Sequence, residues 1–163
     1  MIDKKKYLGQ QKKAQRKRKA QAIKVVKSFE GCESSIEKKV RELLTAEGIY
    51  HIQEYSVRHT LKGKTKENYK VYDFCVRGTN KKDKQFMFLI ECDGTYWHGH
   101  AYLEGTKPYS KLTKIQKRNL KNDKLKDKIA KEIGMPLLRL KECDIKFNIN
   151  GVKDDIYKMV DMF

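Results

Sequence analysis

A chain of 163 residues with 38 Lys+Arg against 21 Asp+Glu carries a formal charge of +17. With 39% hydrophobic residues it can build one domain of modest core plus an appendage. No apolar run approaches the ~18 residues of a membrane span, and the opening MIDKKKYLGQ lacks the apolar stretch of a secretory signal, so membrane and secreted classes are set aside.

The expectation is a soluble, cytoplasmic chain, in a bacterial host or encoded by a phage, whose partner is a polyanion. Nucleic acid is favoured over a membrane surface, because no long helix with a Trp/Phe/Leu face is evident. Cys32, Cys75, Cys92 and Cys143 are scattered without a CxxC pair, which indicates neither a zinc ribbon nor a disulfide framework.

In chain order, residues 1–30 read as a basic arm. Residues 1–27 hold eleven Lys/Arg against a single acid, Asp3. The apolar positions Ile23, Val25 and Val26 are too few for a stable isolated helix, so phosphates are expected to order it through Lys12, Lys13, Arg16, Lys17, Arg18 and Lys19. A solvated charge run is the bland alternative.

Residues 31–163 read as the folded domain. Ser34-Ser35-Ile36-Glu37 has the form of a capping box, and Ile36, Val40, Leu43 and Leu44 keep helical spacing as far as Gly48. Residues 49–57 and 69–76 read as extended, joined across the polar stretch LKGKTKEN into a hairpin. The run Phe86-Met87-Phe88-Leu89-Ile90 has the composition of a central strand buried on both faces. Residues 111–133 form a long basic helix pattern stopped by Gly134 and Pro136, residues 137–140 another strand, and Val152, Ile156, Tyr157 and Val160 a closing helix. The order α, β, β, β, α, β, α makes this an α/β chain.

The chemistry concentrates in the middle. Asp73, within Val71-Tyr72-Asp73-Phe74-Cys75-Val76, is an acid that is costly to bury without a partner. Glu91 and Asp93 are two apart, so strand alternation puts both on one face and Cys92 on the other. If the strands pair, three carboxylates converge, a hard oxygen set suited to Mg²⁺ or Mn²⁺ and to phosphodiester hydrolysis. Tyr96-Trp97-His98-Gly99-His100 follows at once. A histidine there can exchange a proton near neutral pH, and the two aromatic rings can stack on or wedge between bases. Each residue has a plainer reading: Asp73 a satisfied structural acid, Glu91 or Asp93 a cap on the turn at Gly94, Glu37 part of the capping box, Tyr96 and Trp97 core, His98 and His100 a surface pair. Their combination in a strongly basic chain favours the chemical reading.

Together the motifs resemble the very-short-patch repair (Vsr) endonucleases and the related EDxHD homing endonucleases, a branch of the PD-(D/E)XK nuclease superfamily. The resemblance rests on SSIEKKVRELLTAEG as first helix, YKVYDFCV as metal-binding strand, ECDGTYWHGH as signature, and KRNLKNDKLKDKIAKEIGMPLLRLKEC as long helix, glycine turn and last core strand. It implies a restriction-endonuclease-like core, a mixed sheet flanked by helices, acting as a Mg²⁺- or Mn²⁺-dependent endonuclease on double-stranded DNA. It further implies Asp73 as principal metal ligand, joined by either Glu91 or the Cys92 carbonyl. Glu37, Asp93, His98 and Asp123 would be catalytic. Tyr96, Trp97, His100, Lys117 and Arg118 would meet DNA.

The departures also carry information. The repair enzymes hold a structural zinc through three Cys and one His. Thr95 and Tyr102 stand at two of those cysteine positions, which leaves His100 and Cys143, so no structural zinc is expected. A further wedging aromatic is replaced around Lys111 and Leu112, which argues against mismatch specificity, and the arm suggests a site-directed or mobile-element nuclease. The alternative is a catalytically inactive nucleic-acid-binding module on the same fold.

Overall fold

Helix α1 (Ser35–Ala46) buries Ile36, Val40 and Leu44, the one-sided apolar stripe that its spacing predicts. It ends ahead of Gly48, whose φ of 67° suits a residue without a Cβ. These features come from a computed structural model, which describes residues 33–60, 65 and 67–163. The arm cations Lys12, Lys13, Arg16, Lys17, Arg18 and Lys19 lie outside the described residues, as does most of the connection between the first two strands.

Strand β1 (His51–Thr60) pairs antiparallel with β2 (Glu67–Thr79), and β2 pairs antiparallel with β3 (Gln85–Asp93). Both hairpin strands run beyond their expected ends, because polar residues at the strand tips still complete the ladder from Thr60–Glu67 inward. The chain then passes through a short helix α2 (His100–Leu103) and a 3₁₀ turn (Tyr109–Lys111) into the long helix α3 (Lys114–Glu132). This helix starts three residues later than expected. Thr113 caps it, accepting from the Gln116 N–H while the Gln116 side chain accepts from the Thr113 N–H, so the T-x-x-Q box sets the boundary.

Strand β4 (Leu137–Lys141) lies parallel to β3, and α3 is the crossover that a parallel pair requires. Helices α4 (Glu142–Phe147) and α5 (Ile149–Asp161) close the chain. Only the second was expected. The result is an α/β fold with a four-stranded mixed sheet, order β1-β2-β3-β4, flanked by helices. No described helix is long and apolar enough to cross a membrane.

The sheet separates two apolar layers. On one side Phe74, Val76, Phe88, Ile90 and Cys92 pack with α1, α4 and α5, including Val40, Leu44, Ile145, Val152 and Ile156. On the other side Tyr72, Cys75 and Leu89 pack with Ile129 and Ala130 of α3. Strand β3 is thus buried on both faces, as its continuous apolar run predicts.

Candidate active site

The β2–β3 ladder runs from Thr79–Gln85 to Phe74–Ile90 and stops one residue short of Asp73. Beyond that point the Asp73 carboxylate takes the place of the ladder partner, its Oδ2 accepting from the Cys92 N–H at 2.7 Å. The β1–β2 ladder is interrupted at the same level, pairing Gln53 with Phe74 and Tyr55 with Tyr72 but not Glu54 with Asp73. Glu54 has φ 49°, a left-handed conformation that costs a residue with a Cβ. Tyr72 and Cys75, three apart, lie in the α3 layer, as do Ile52 and Tyr55 across from them. Alternation therefore slips by one on both strands at the acid, which leaves Asp73 between the layers. Its carboxyl is pushed up to about 6, chiefly by burial and with the charge of Glu37 on α1 adding to it, against the opposing pull of the Cys92 N–H and the Lys126 charge.

Glu91 and Asp93 share the α3 face while Cys92 points into the opposite layer, as their spacing predicts. Each meets a cation of the chain. Glu91, only 3% exposed, is gripped through both oxygens by the Lys126 ammonium at 2.7 Å. Lys126 also lies 5.4 Å from the centre of the Tyr72 ring, and the Tyr72 hydroxyl donates to the Lys126 carbonyl at 2.8 Å. Burial and the Asp73 charge push Glu91 up to about 7 against the opposing pull of Lys126. Asp93 accepts from Arg139 Nη1 through both oxygens, at 2.7 and 3.0 Å.

The loop after β3 brings His98 to the same place. Its Nδ1 lies 2.9 Å from Asp123 Oδ2 and 3.4 Å from Asp93 Oδ1. Burial acts to lower the His98 pKa, but the Asp123 hydrogen bond and the charges of Asp93 and Asp123 outweigh it, so the net shift is upward. Gly99 turns the loop with φ 62°, a left-handed conformation that a residue with a Cβ resists, beside Leu112 and Leu120. Two side chains of α3 hold the loop by its carbonyls, Gln116 on Tyr96 at 2.8 Å and Asn119 on Trp97 at 3.1 Å.

Tyr96 and Trp97 are not core. They are 59% and 54% exposed and meet edge to face at 5.1 Å. His100 is buried at 5% exposure, so it does not belong to the surface that these two rings present. Arg118 is exposed, and the Lys117 ammonium lies 5.1 Å from the Tyr109 ring centre.

The structure therefore brings Asp73, Glu91, Cys92, Asp93, His98 and Asp123 to the end of β3, with the charge of Glu37 reaching Asp73. It adds two residues the sequence reading missed, Lys126 and Arg139. Lys126 was one basic residue among eight on its helix. Arg139 did leave a signal, a lone charge within the strand Leu137-Leu138-Arg139-Leu140, which burial makes costly without a partner.

Among the described residues no group of three or more His, Cys, Asp or Glu side chains is arranged to hold a metal ion. Among the described residues at the end of β3, Asp73 and the main-chain carbonyl of Cys92, which in a strand points to the same side as its N–H, lie outside the ion pairs that occupy Glu91 and Asp93. One carboxylate and one carbonyl fit Mg²⁺, which usually keeps several waters and takes one or two carboxylates along with substrate phosphate. They do not fit a closed zinc site. No protein-family model matches the chain, and no curated protein matches its sequence.

Proposed function

We propose that residues 35–163 form a metal-dependent DNA endonuclease on a PD-(D/E)XK-type core. The observation that carries this reading is the His98–Asp123 pair, 2.9 Å apart, at the end of the strand whose Cys92 N–H holds Asp73. Asp73 and the Cys92 carbonyl would hold Mg²⁺ or Mn²⁺, which when bound supplies charge neutralisation at the phosphate. With Nδ1 turned to Asp123, the imidazole exchanges its proton at Nε2, toward the attacking water or the leaving oxygen. The charge of Glu37 adds to the negative field at Asp73. Tyr96 and Trp97 offer exposed rings to bases, Lys117 and Arg118 offer cations to phosphates, and a chain of +17 attracts the duplex over a longer range.

One observation favours a second reading, an inactive nucleic-acid-binding module: Glu91 and Asp93 are both occupied by cations of the chain. Incubating supercoiled plasmid with wild type and with Asp73→Ala, in Mg²⁺, Mn²⁺ or EDTA, separates the two. Open-circle or linear product from wild type in metal alone supports the endonuclease. Product that persists in Asp73→Ala contradicts it, and tight binding without product in any metal favours the module.

A further inference from the structure

Arg139 stands at a junction of charge that the proposed reaction does not by itself explain. It is the register partner of Glu91 on β4, yet its guanidinium reaches past that residue to three acids. Nη1 donates to both oxygens of Asp93 at 2.7 and 3.0 Å, Nε to Asp127 at 2.8 Å, and Nη2 to the Asp123 carbonyl at 3.3 Å. Nη1 also lies 3.9 Å from Asp123 Oδ1. The same two acids, Asp93 and Asp123, face Nδ1 of His98.

A neutral imidazole carries one ring proton, and in the tautomer that places it at Nδ1, facing the acids, it can satisfy one carboxylate. Asp123 takes it at 2.9 Å, so Asp93, at 3.4 Å, faces the ring edge with no proton of its own. Two carboxylates on one ring nitrogen repel each other and together favour the imidazolium. With Arg139 present, Asp93, Asp123 and Arg139 sum to −1 around a neutral ring and to zero around a protonated one. Without it the corresponding sums are −2 and −1, and the ring would be held protonated.

We infer that Arg139 is a positioning residue that fixes Asp93 and Asp123 on the Nδ1 side of His98 and offsets their charge, so that the imidazole can both release and regain a proton at Nε2. Among the described residues, the charged groups facing His98 are Asp93 from β3, Asp123 from α3 and Arg139 from β4. The fork matters as well as the charge. A guanidinium reaches β3 and α3 at once, whereas a lysine ammonium on the same strand cannot span both. The role in turnover rests on the endonuclease reading; the hold on His98 does not.

Two variants test this in the full chain. In metal-free protein followed by NMR, with the His98 resonance assigned through His98→Gln, Arg139→Gln raises the His98 titration midpoint by about one pH unit. The acid limb of the kcat profile moves up with it, while KM for DNA stays near wild type. Arg139→Lys keeps the charge, so the midpoint stays close to wild type, but kcat falls on the order of tenfold or more because the two acids lose their common anchor. A folded Arg139→Gln protein with an unmoved His98 midpoint overturns the inference. If Arg139→Gln does not fold, Arg139→Lys decides alone, since full kcat there also overturns it. An upward shift in His98 without DNA cleavage by any variant, wild type included, would sustain the hold on His98 and sink the endonuclease reading instead.

Discussion

The two faces of strand β3 make opposite use of the same backbone. On one face Phe88, Ile90 and Cys92 continue the apolar layer to the end of the strand, against α1, α4 and α5. On the other, Leu89 gives way to Glu91 and Asp93, and the layer under α3 becomes a cluster of Lys126, Arg139, Asp123 and His98. Burial of apolar surface stabilises the fold, whereas burial of charge is costly unless each group is answered. The first face holds the fold together, and on the proposed reading the second places the groups that react. Asp73, lying between the layers, is answered among the described residues by one N–H and the charge of Lys126, without the direct ion pair that Glu91 and Asp93 have.

The largest expected effect falls on Asp73. Its carboxyl is raised from 3.8 to about 6, so the folded state binds the proton more tightly than the unfolded chain does. The penalty is absent below about pH 4, grows between the two values, and above about pH 6 reaches on the order of 3 kcal/mol. Asp73→Asn should therefore abolish cleavage while stabilising the fold at pH 7 by roughly 1–3 kcal/mol, read by denaturant titration. Stability of the wild type should in turn slope downward from pH 4 to pH 6 relative to that variant.

His98→Gln comes next, with cleavage reduced by about 10² to 10⁴ in single-turnover assays and stability little changed. On the same face, Lys126→Met leaves Glu91 buried without its cation and should cost about 3–5 kcal/mol, while Lys126→Met with Glu91→Leu restores most of that loss. Thermal melts of the single and double variants would measure the difference. Additive losses instead would show that the pair is not coupled. On the apolar face, Phe88→Ala should cost about 3–5 kcal/mol by the same melts and impair cleavage only through unfolding. The smallest effect concerns the slip opposite Asp73. Glu54→Gly relieves the positive φ and should stabilise by up to about 1 kcal/mol, whereas Glu54→Val should destabilise, because a branched side chain resists φ 49°.

What the sequence made legible follows from local rules. Apolar periodicity located α1, β3 and the closing helix, and the acids Asp73, Glu91 and Asp93 stood out because strand surroundings make acids expensive. The spacing of Glu91 and Asp93 put them on one face, as observed. Long-range partners were harder to read. Lys126 meets Glu91 across 35 residues and Arg139 meets Asp93 across 46, and no local pattern marks one lysine of a basic helix as the one turned inward. His100 looked like a partner of His98 in sequence, but the turn around Gly99 sends one to the site and the other into the interior. The slip at Glu54 left no sign at all, since a left-handed residue there is neither Gly nor Asn.

The central claim is that Asp73 is kept at a cost to the fold because it serves the reaction. The most direct measurement pairs plasmid cleavage in Mg²⁺ and Mn²⁺ with denaturant unfolding at pH 7, for wild type and Asp73→Asn. A variant that is more stable and no longer cleaves, beside a wild type that cleaves only with metal, is the predicted result. A variant that still cleaves, or one less stable than wild type, would contradict the claim.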